Sequence, residues 1–220
     1  MAIPKVIYQT FNSSALPWLT RQHVLRLRKK NPDYRYEFYD DQRMNEFMHR
    51  TLNPEAFELF CRIQIGALKA DFFRYVILYH FGGVYLDIDS LITAKLDTMI
   101  LPGDHALISK ESNGLFYIQY ALFFEAGHPF LQRTIQMLTD NLRNNRFPHD
   151  GHSMTGPGVY THAIRSCLEE NPLIHYRELP ADYNGDVIFS YPMSKLFLYG
   201  PRRKGHWKKA SQKYEVLKSK

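Results

Sequence analysis

The sequence has 220 residues, is 45% hydrophobic and 15% aromatic, and is therefore long and apolar enough for one substantial core. Its formal net charge of +6 is concentrated at one end, because residues 201–220 hold eight Lys or Arg and one Glu. The other 200 residues carry 20 basic and 21 acidic side chains. This balance excludes a disordered chain and argues against a nucleic-acid reader, which would carry its basic side chains on the folded face.

The cysteines and the first residues indicate a cellular compartment. Cys61 and Cys167 show no metal-ligand spacing and are too few for a disulfide framework, so we expect a reducing environment. Pro4, Lys5 and Gln9 interrupt the first residues before any apolar run reaches secretory or membrane-spanning length. We expect a cytoplasmic protein, peripheral to a membrane at most. The basic tail has three possible interpretations: it contacts anionic lipid, it contacts a nucleotide phosphate, or it is a solvated end.

The first third of the chain predicts two strands and two helices. β-Branched and aromatic residues predict a strand over residues 5–9, and alternating polar and aromatic positions predict another over 34–39. A helix between them is expected to end at about Lys30, ahead of a proline. Asp40-Asp41 is expected to cap a second helix.

The clearest helix is predicted over residues 64–81. Its apolar side chains fall on one stripe, at spacings of four, three and four: Leu68, Phe72, Tyr75 and Tyr79. Gly82-Gly83 is expected to end it, since glycine supplies the left-handed backbone that helix ends use. A short apolar strand over residues 84–87 follows.

The rest of the chain continues the alternation. Strands are predicted over residues 106–109, 114–124, 174–179 and 187–189, and helices over 130–142 and 158–168. Strands that alternate with helices, without a repeat or a linker, predict a single α/β domain with a mainly parallel central sheet.

Asp87 and Asp89 form the sharpest chemical feature. Strand alternation places both side chains on one side at the end of a buried strand, where open α/β sheets bind ligands. Two close carboxylates raise each other's pKa unless a cation lies between them. A divalent ion held by oxygen ligands removes that repulsion and can bridge to phosphate. From these residues alone, a turn in which the aspartates cap the next element is the more common explanation of an Asp-X-Asp sequence.

The stretch from Ala67 to Asp89 reads ALKADFFRYVILYHFGGVYLDID. It resembles the DXD sugar-binding region of a family of retaining glycosyltransferases, family thirty-two, which includes fungal α-mannosyltransferases and bacterial capsular-polysaccharide transferases. The glucosylating clostridial toxins share a related core. Further points of resemblance are residues 3–9, Trp18, the aromatic strand near Tyr36, and Gly127-His128-Pro129-Phe130. The resemblance implies a single-domain GT-A-like, Rossmann-like nucleotide-sugar-binding fold over residues 1–200. It also implies that the tail, residues 201–220, is part of the donor or metal site or acts as a lid.

The resemblance also implies the site residues. It assigns catalytic roles to Asp71, Arg74, Asp87 and Asp89. In this assignment Arg74 donates hydrogen bonds to the sugar of the nucleotide-sugar, and Asp71 accepts hydrogen bonds from the hydroxyls of that sugar. Contacts to the donor are implied for Tyr8, Gln9, Thr10, Asp71, Arg74, Gly83, Tyr85, Asp87, Gln119, Thr155 and Gly156. Simpler interpretations stay open: an ion pair between Asp71 and Arg74, core packing of Tyr85, and an ordinary turn with a helix cap at residues 155–158.

A late histidine completes the metal site in relatives, and His206 is the natural match. The resemblance thus implies a metal held by Asp87, Asp89 and His206, and an imidazole ligand favours Mn²⁺ over Mg²⁺. One departure is that the small-residue-then-tryptophan ending of the family is replaced by Ala210-Ser211.

The predicted reaction is metal-dependent transfer of a hexose from a UDP- or GDP-sugar to a hydroxyl of a glycan or other acceptor, with retention, in glycan or polysaccharide synthesis. An aspartate-dependent phosphatase is one alternative, since such enzymes place a nucleophilic Asp-X-Asp at a strand end. Those enzymes usually have Thr or Val where this chain has Leu91, and their motif opens the domain. A non-catalytic nucleotide- or polyanion-binding domain is the other alternative, supported by the tail.

Overall fold

The computed structural model describes residues 3–199 and 215–218. The strands are Val6–Thr10 (β1), Arg35–Tyr39 (β2), Gly83–Leu86 (β3), Leu91–Ile92 (β4), Ala106–Ser109 (β5), Ala121–Phe124 (β6), Arg177–Leu179 (β7) and Val187–Ile188 (β8). The helices are Trp18–Lys30 (α1), Asp41–Thr51 (α2), Pro54–Arg62 (α3), Gly66–Phe81 (α4), Leu96–Met99 (α5), Pro129–Arg143 (α6), Gly151–Met154 (α7), Pro157–Glu170 (α8), Ala181–Asn184 (α9) and Ser194–Tyr199 (α10).

Six strands form the central sheet in the order β2-β1-β3-β6-β5-β7. The pairs β1–β2, β1–β3 and β5–β7 are parallel, and β6 runs antiparallel to both of its neighbours. The two short strands β4 and β8 form a separate antiparallel pair. The prediction of an α/β fold with a mainly parallel sheet is confirmed, and β6 is the one reversed strand among the six described strands of the central sheet.

Each face of the sheet is covered by its own core, because successive strand residues point to opposite faces. Tyr85 belongs to the core on one face, which also contains side chains of α2, α3, α4, α6 and α8. Its neighbours Val84 and Leu86 point the other way, toward Leu27 of α1 and Leu96 of α5. The result is a three-layer α/β/α arrangement in which β3 lies near the middle.

The turn between α4 and β3 requires glycine. Gly82 has φ +64°, and a β-carbon there would lie 2.7 Å from Ala126 N. Gly83 has φ +110°, and a β-carbon there would lie 2.9 Å from Val6 O. The pair therefore lets the chain leave the helix and enter the middle of the sheet within two residues.

Two expectations from the sequence differ from the structure. Of the strand predicted over residues 114–124, only Ala121–Phe124 forms, because the preceding backbone is bonded to other parts of the chain: Arg74 donates to Gln119 O, and Asp87 N donates to Tyr120 O. The helix predicted over residues 64–81 is present, but it is buried on nearly all sides between the sheet and its neighbouring helices, not along one stripe. A helix that is apolar around most of its circumference packs in this way.

The far end of the basic tail is attached to the domain. Val216 and Leu217 are buried in the core on the side of the sheet that α4 covers, which we call the α4-side core. Gln64 N donates to Val216 O at 2.9 Å. Residues 201–214 lie outside the described part of the chain, so the predicted lid stays a prediction. Within residues 3–199 and 215–218, no helix is both long and apolar enough to cross a bilayer.

Candidate active site

Asp87 follows the last residue of β3 and begins a tight turn. Ser90 N donates to Asp87 O at 2.9 Å, so residues 87–90 leave the sheet. The strand alternation expected to align Asp87 with Asp89 therefore does not extend to them. Asp87 instead lies on the same side as Tyr85, whose hydroxyl donates to Asp87 Oδ1 at 3.1 Å.

Helix α4 supplies an aspartate and an arginine one turn apart, which places their side chains side by side. Arg74 Nη2 lies 3.0 Å from Asp71 Oδ1 and 3.1 Å from Asp87 Oδ1. The Arg74 side chain is 4% exposed, and its guanidinium lies 4.8 Å from the centre of the Tyr85 ring. The structure thus joins the helix and the end of the strand through one buried guanidinium.

Gln119, which precedes β6, is bonded into the same group. Its Nε2 donates to Asp71 Oδ1 at 3.3 Å, and its carbonyl accepts from Arg74 Nη1 at 2.9 Å. Tyr75 donates its hydroxyl to Gln119 Oε1 at 2.5 Å. The Gln119 amide is therefore held in one orientation at the edge of the cluster.

Thr155 lies immediately before the N-cap of α8 and is fully buried. Its hydroxyl donates to Asp71 Oδ2 at 2.9 Å, which adds a fourth chain segment to the cluster. Gly156 is the N-cap of α8, and a β-carbon there would lie 3.0 Å from the His152 backbone. We define the polar cluster as Asp71, Arg74, Asp87, Gln119 and Thr155.

The polar cluster is electrostatically unbalanced. Burial raises the pKa of Asp71 to about 6, although Arg74 and Thr155 oppose the shift. Burial also raises the pKa of Asp87, again against Arg74 and Tyr85. Burial by itself would lower the pKa of Arg74, but the carboxylate of Asp87 and its neighbours raise it above its usual range. Two carboxylates around one guanidinium leave a single negative charge when all three are ionised.

Several hydrogen-bonding positions in this cluster are not used by the described part of the chain. Asp87 Oδ1 accepts a hydrogen bond from Tyr85 and forms an ion pair with Arg74, whereas its Oδ2 accepts none from a described residue, and the side chain is 28% exposed. Asp71 Oδ2 accepts one and has a second lone pair. Arg74 donates through Nε to Ala70 O and through Nη1 to Gln119 O, and its Nη2 forms ion pairs with Asp71 and Asp87, so Nη1 keeps a second N–H. A ligand with both acceptors and donors, as a sugar hydroxyl group has, suits these positions.

Strand β1 brings its predicted residues to different places. Gln9 is buried and donates its Nε2 to Asp87 O at 3.2 Å, so it supports the backbone of the turn. Tyr8 packs in the α4-side core, where burial raises its pKa to about 12. Thr10 donates its hydroxyl to Tyr39 O at 2.7 Å. Gly83 lies at the start of β3, at the opposite end of the strand from Asp87.

Asp89 lies on the α1 side of the turn. It is 9% exposed, and its carbonyl accepts from Tyr191 N at 2.8 Å. Tyr191 in turn bonds the hydroxyl of Thr20 at 2.8 Å, and its ring lies 4.5 Å from that of His23. The side chain of Asp87 therefore enters the polar cluster, while the backbone of Asp89 is bonded to Tyr191 beside α1.

Of the three predicted metal ligands, the structure describes Asp87 and Asp89. His206 lies outside the described residues, and among those described no three His, Cys, Asp or Glu side chains are grouped closely enough to hold a metal ion. Asp87 and Asp89 nevertheless supply hard oxygen donors on one turn, next to a cluster with a net negative charge. A divalent ion that shares its ligands between one or two carboxylates and a phosphate group fits this arrangement.

Three residues of the site were not assigned to it from the sequence. Tyr75 orients Gln119, Tyr36 donates its hydroxyl to Gln9 Oε1 at 3.0 Å, and the Tyr120 carbonyl accepts from Asp87 N and Ser90 Oγ. The spacing of Tyr75 from Asp71, four residues along a helix, was a usable signal. Tyr36 and Tyr120 reach the site through sheet neighbours that no local pattern predicts.

Comparison with known proteins agrees with this geometry. Residues 17–107 match the family model described as a glycosyltransferase sugar-binding region containing a DXD motif. Inositol phosphoceramide mannosyltransferase 3 of Schizosaccharomyces pombe is 30% identical over 150 residues, which cover 67% of this chain and 40% of that protein. The chain spans about half or less of the length of most curated relatives that it matches.

Solved structures show the fold. The PaToxG glycosyltransferase is similar with a TM-score of 0.61 at 19% identity, covering 78% of this chain and 70% of its own. The UDP-bound glycosyltransferase domain from the YGT toxin has a TM-score of 0.55 at 10% identity, covering 80% of this chain and 79% of its own. The predicted GT-A-like fold and the predicted family resemblance are both confirmed. Residues 17–107 of this chain, which include the polar cluster's α4 and the Asp87–Asp89 turn, belong to the glycosyltransferase sugar-binding region with a DXD motif.

Proposed function

We propose that this chain transfers a hexose from a nucleotide-sugar donor to a hydroxyl acceptor. The observation that carries the proposal is Arg74, which holds Asp87 at the carboxyl end of β3 and Asp71 on α4 at 3.1 and 3.0 Å. Within the DXD region of a glycosyltransferase family, such a cluster presents carboxylate and guanidinium groups to one small polar ligand.

The donor sugar is expected to fit the unused positions of the polar cluster. Arg74 Nη1 retains an N–H that can donate to a hydroxyl, and Asp71 Oδ2 retains a lone pair that can accept from one. The amide of Gln119 lies at the same edge, fixed by Tyr75. These contacts would orient the sugar. Sugar binding alone would then explain why Asp71 and Arg74 are charged and buried.

A divalent ion, Mn²⁺ or Mg²⁺, would be held by Asp87 and Asp89 together with the donor diphosphate. It would supply positive charge to offset the charge that develops on the departing diphosphate. The polar cluster favours such a partner because it has a net negative charge and because Asp87 Oδ2 accepts no bond from a described residue.

We infer retention of anomeric configuration. The carboxylates of Asp71 and Asp87 are both tied to Arg74, which makes them poor nucleophiles. In front-side attack, the bond from C1 to the diphosphate oxygen breaks as the bond from the acceptor oxygen to C1 forms. The acceptor proton passes to the departing phosphate oxygen. NMR of the product tests this inference, because retention requires the same anomeric configuration in the product as in the donor.

Nucleotide release from a panel of UDP- and GDP-sugars tests the function. The name of the S. pombe relative points to a mannose donor, and the YGT domain binds UDP, so both nucleotides belong in the panel. We expect release from one donor with Mn²⁺ or Mg²⁺, and loss of release with EDTA or in Asp89→Asn. The matched control is Asp33→Asn, an exposed aspartate outside the site. No release from any donor, together with no thermal stabilisation by UDP or GDP in Mn²⁺, would overturn the proposal.

A further inference from the structure

Helix α1 has an unusual composition for a surface helix. Its 13 residues include five basic side chains and no acidic one: Arg21, Arg26, Arg28, Lys29 and Lys30. These are a quarter of the 20 basic residues outside the tail, although the helix contributes only 13 of those 200 residues. None of the five forms a salt bridge with a carboxylate in the described part of the chain. The overall charge balance conceals this local excess.

The outer side of α1 also exposes large apolar side chains. Trp18 is 71% exposed and Leu25 is 45% exposed. Arg21 and Arg28 share a side of the helix with them, since the four residues are spaced three, four and three apart. An apolar and basic surface of this kind, with a tryptophan at one end, is typical of helices that lie in a membrane interface.

The inner side of α1 fixes the direction in which that surface faces. His23 bonds Ser90 O at 2.9 Å, and Thr20 bonds Tyr191, so the inner side is attached to the Asp87–Ser90 turn. Helix α10 packs against α1. Met193, just before α10, is 62% exposed, and Leu196, within α10, is 49% exposed. They add apolar surface next to α1.

We propose that the outer side of α1 docks on an anionic lipid bilayer. The four exposed basic side chains match the negative headgroups, namely Arg21, Arg26, Arg28 and Lys29. Trp18 and Leu25 match the boundary between headgroups and acyl chains. A nucleic acid would satisfy the charges but would leave these apolar side chains in water. This inference does not depend on the proposed transferase activity, because it rests on surface residues outside the polar cluster.

Cosedimentation of the full chain with vesicles tests the proposal. We expect binding to phosphatidylcholine vesicles that contain 30% phosphatidylserine, no binding to pure phosphatidylcholine, and a loss of binding at 0.5 M salt, on the order of tenfold or more. The double variant Trp18→Ser, Leu25→Ser should bind at least about tenfold more weakly. Its matched control is Leu173→Ser, which removes a leucine that is 79% exposed on another part of the surface.

Two further experiments distinguish membrane binding by α1 from membrane binding by the basic tail and from RNA binding. In a Trp207→Phe background, Trp18 is the sole tryptophan, and its emission should shift to the blue when anionic vesicles are added. Replacing Arg202, Arg203 and Lys204 with Gln should leave that shift in place. The proposal is overturned if the α1 variants bind vesicles as the unchanged chain does, or if the unchanged chain binds poly(U) RNA but not anionic vesicles. Thermal melting of each variant establishes that it is folded.

Discussion

Helices α1 and α4 both carry arginines next to apolar residues, yet the two helices use them in opposite ways. In α4, Arg74 is 4% exposed and forms ion pairs with two carboxylates. In α1, Arg21, Arg26 and Arg28 are exposed, and none forms a salt bridge with a carboxylate in the described part of the chain. The difference arises from the surroundings: α4 is covered by the sheet and by α6, whereas only one side of α1 faces the core. A buried charge requires partners, and an exposed one does not.

The largest effect should follow from removing the buried guanidinium. Arg74→Met leaves two carboxylates buried without a cation, so we expect the free energy of unfolding to fall by about 3–5 kcal/mol. Donor turnover should fall by about 10²–10³-fold or more. On α1, Arg21→Met should change the free energy of unfolding by no more than about 0.5 kcal/mol. Urea denaturation measures both, and an Arg74→Met loss below that of Arg21→Met would remove the basis of the comparison.

The dependence of kcat/KM on pH tests the role of the buried Asp71–Arg74 ion pair of α4. The pKa of Asp71 is raised to about 6, so this carboxylate is ionised above that pH and protonated below it. Protonation removes one partner of Arg74, and we therefore expect kcat/KM for donor hydrolysis to fall as the pH drops through about 6. Asp71→Asn should have low activity without an acid limb at that pH. An unchanged acid limb in Asp71→Asn would assign the limb to another group.

A pair of Thr→Val substitutions compares one buried hydrogen bond to a side chain of α4 with one made by a side chain of α1. Thr155 donates to the carboxylate of Asp71, and Thr20 bonds the neutral hydroxyl of Tyr191. Both threonines are fully buried. We expect Thr155→Val to lower the free energy of unfolding by about 1.5–3 kcal/mol and Thr20→Val by about 0.5–1.5 kcal/mol. Equal losses, with Thr→Ser as the control at each position, would contradict a charged hydrogen bond at Asp71.

The smallest effect is expected on the outer side of α1. Arg26 and Lys29 are exposed like charges three residues apart, and replacing both with Gln should raise the free energy of unfolding by about 0.2–0.5 kcal/mol. The gain should vanish at 0.5 M salt, because salt screens the repulsion. A loss of more than about 1 kcal/mol would mean that these side chains have partners in the fold.

Part of the site could be predicted from local sequence. The spacing of Asp71 and Arg74 on one helix and the glycine pair ahead of an apolar strand were readable because helices and turns obey short-range rules. The assignment of Gln119 and Thr155 to the donor site came from resemblance, and the structure brings both to Asp71. The partners Tyr36 and Tyr120 were not predicted, since they meet the site only through sheet pairing. Donor contacts remain predictions for every residue of the site.

By itself the sequence determined that strands and helices alternate, that Gly82 and Gly83 separate α4 from β3, and that two aspartates follow a buried strand. These features depend on the conformational preferences of neighbouring residues. Tertiary structure alone decided that a tight turn follows β3 and brings the Asp87 side chain to Arg74, and that Gln119 before β6 bonds to Arg74 instead of extending the strand. It also decided which arginines are buried. Such outcomes depend on contacts between residues far apart in the chain, and a buried charge is stable only where those contacts supply its partners.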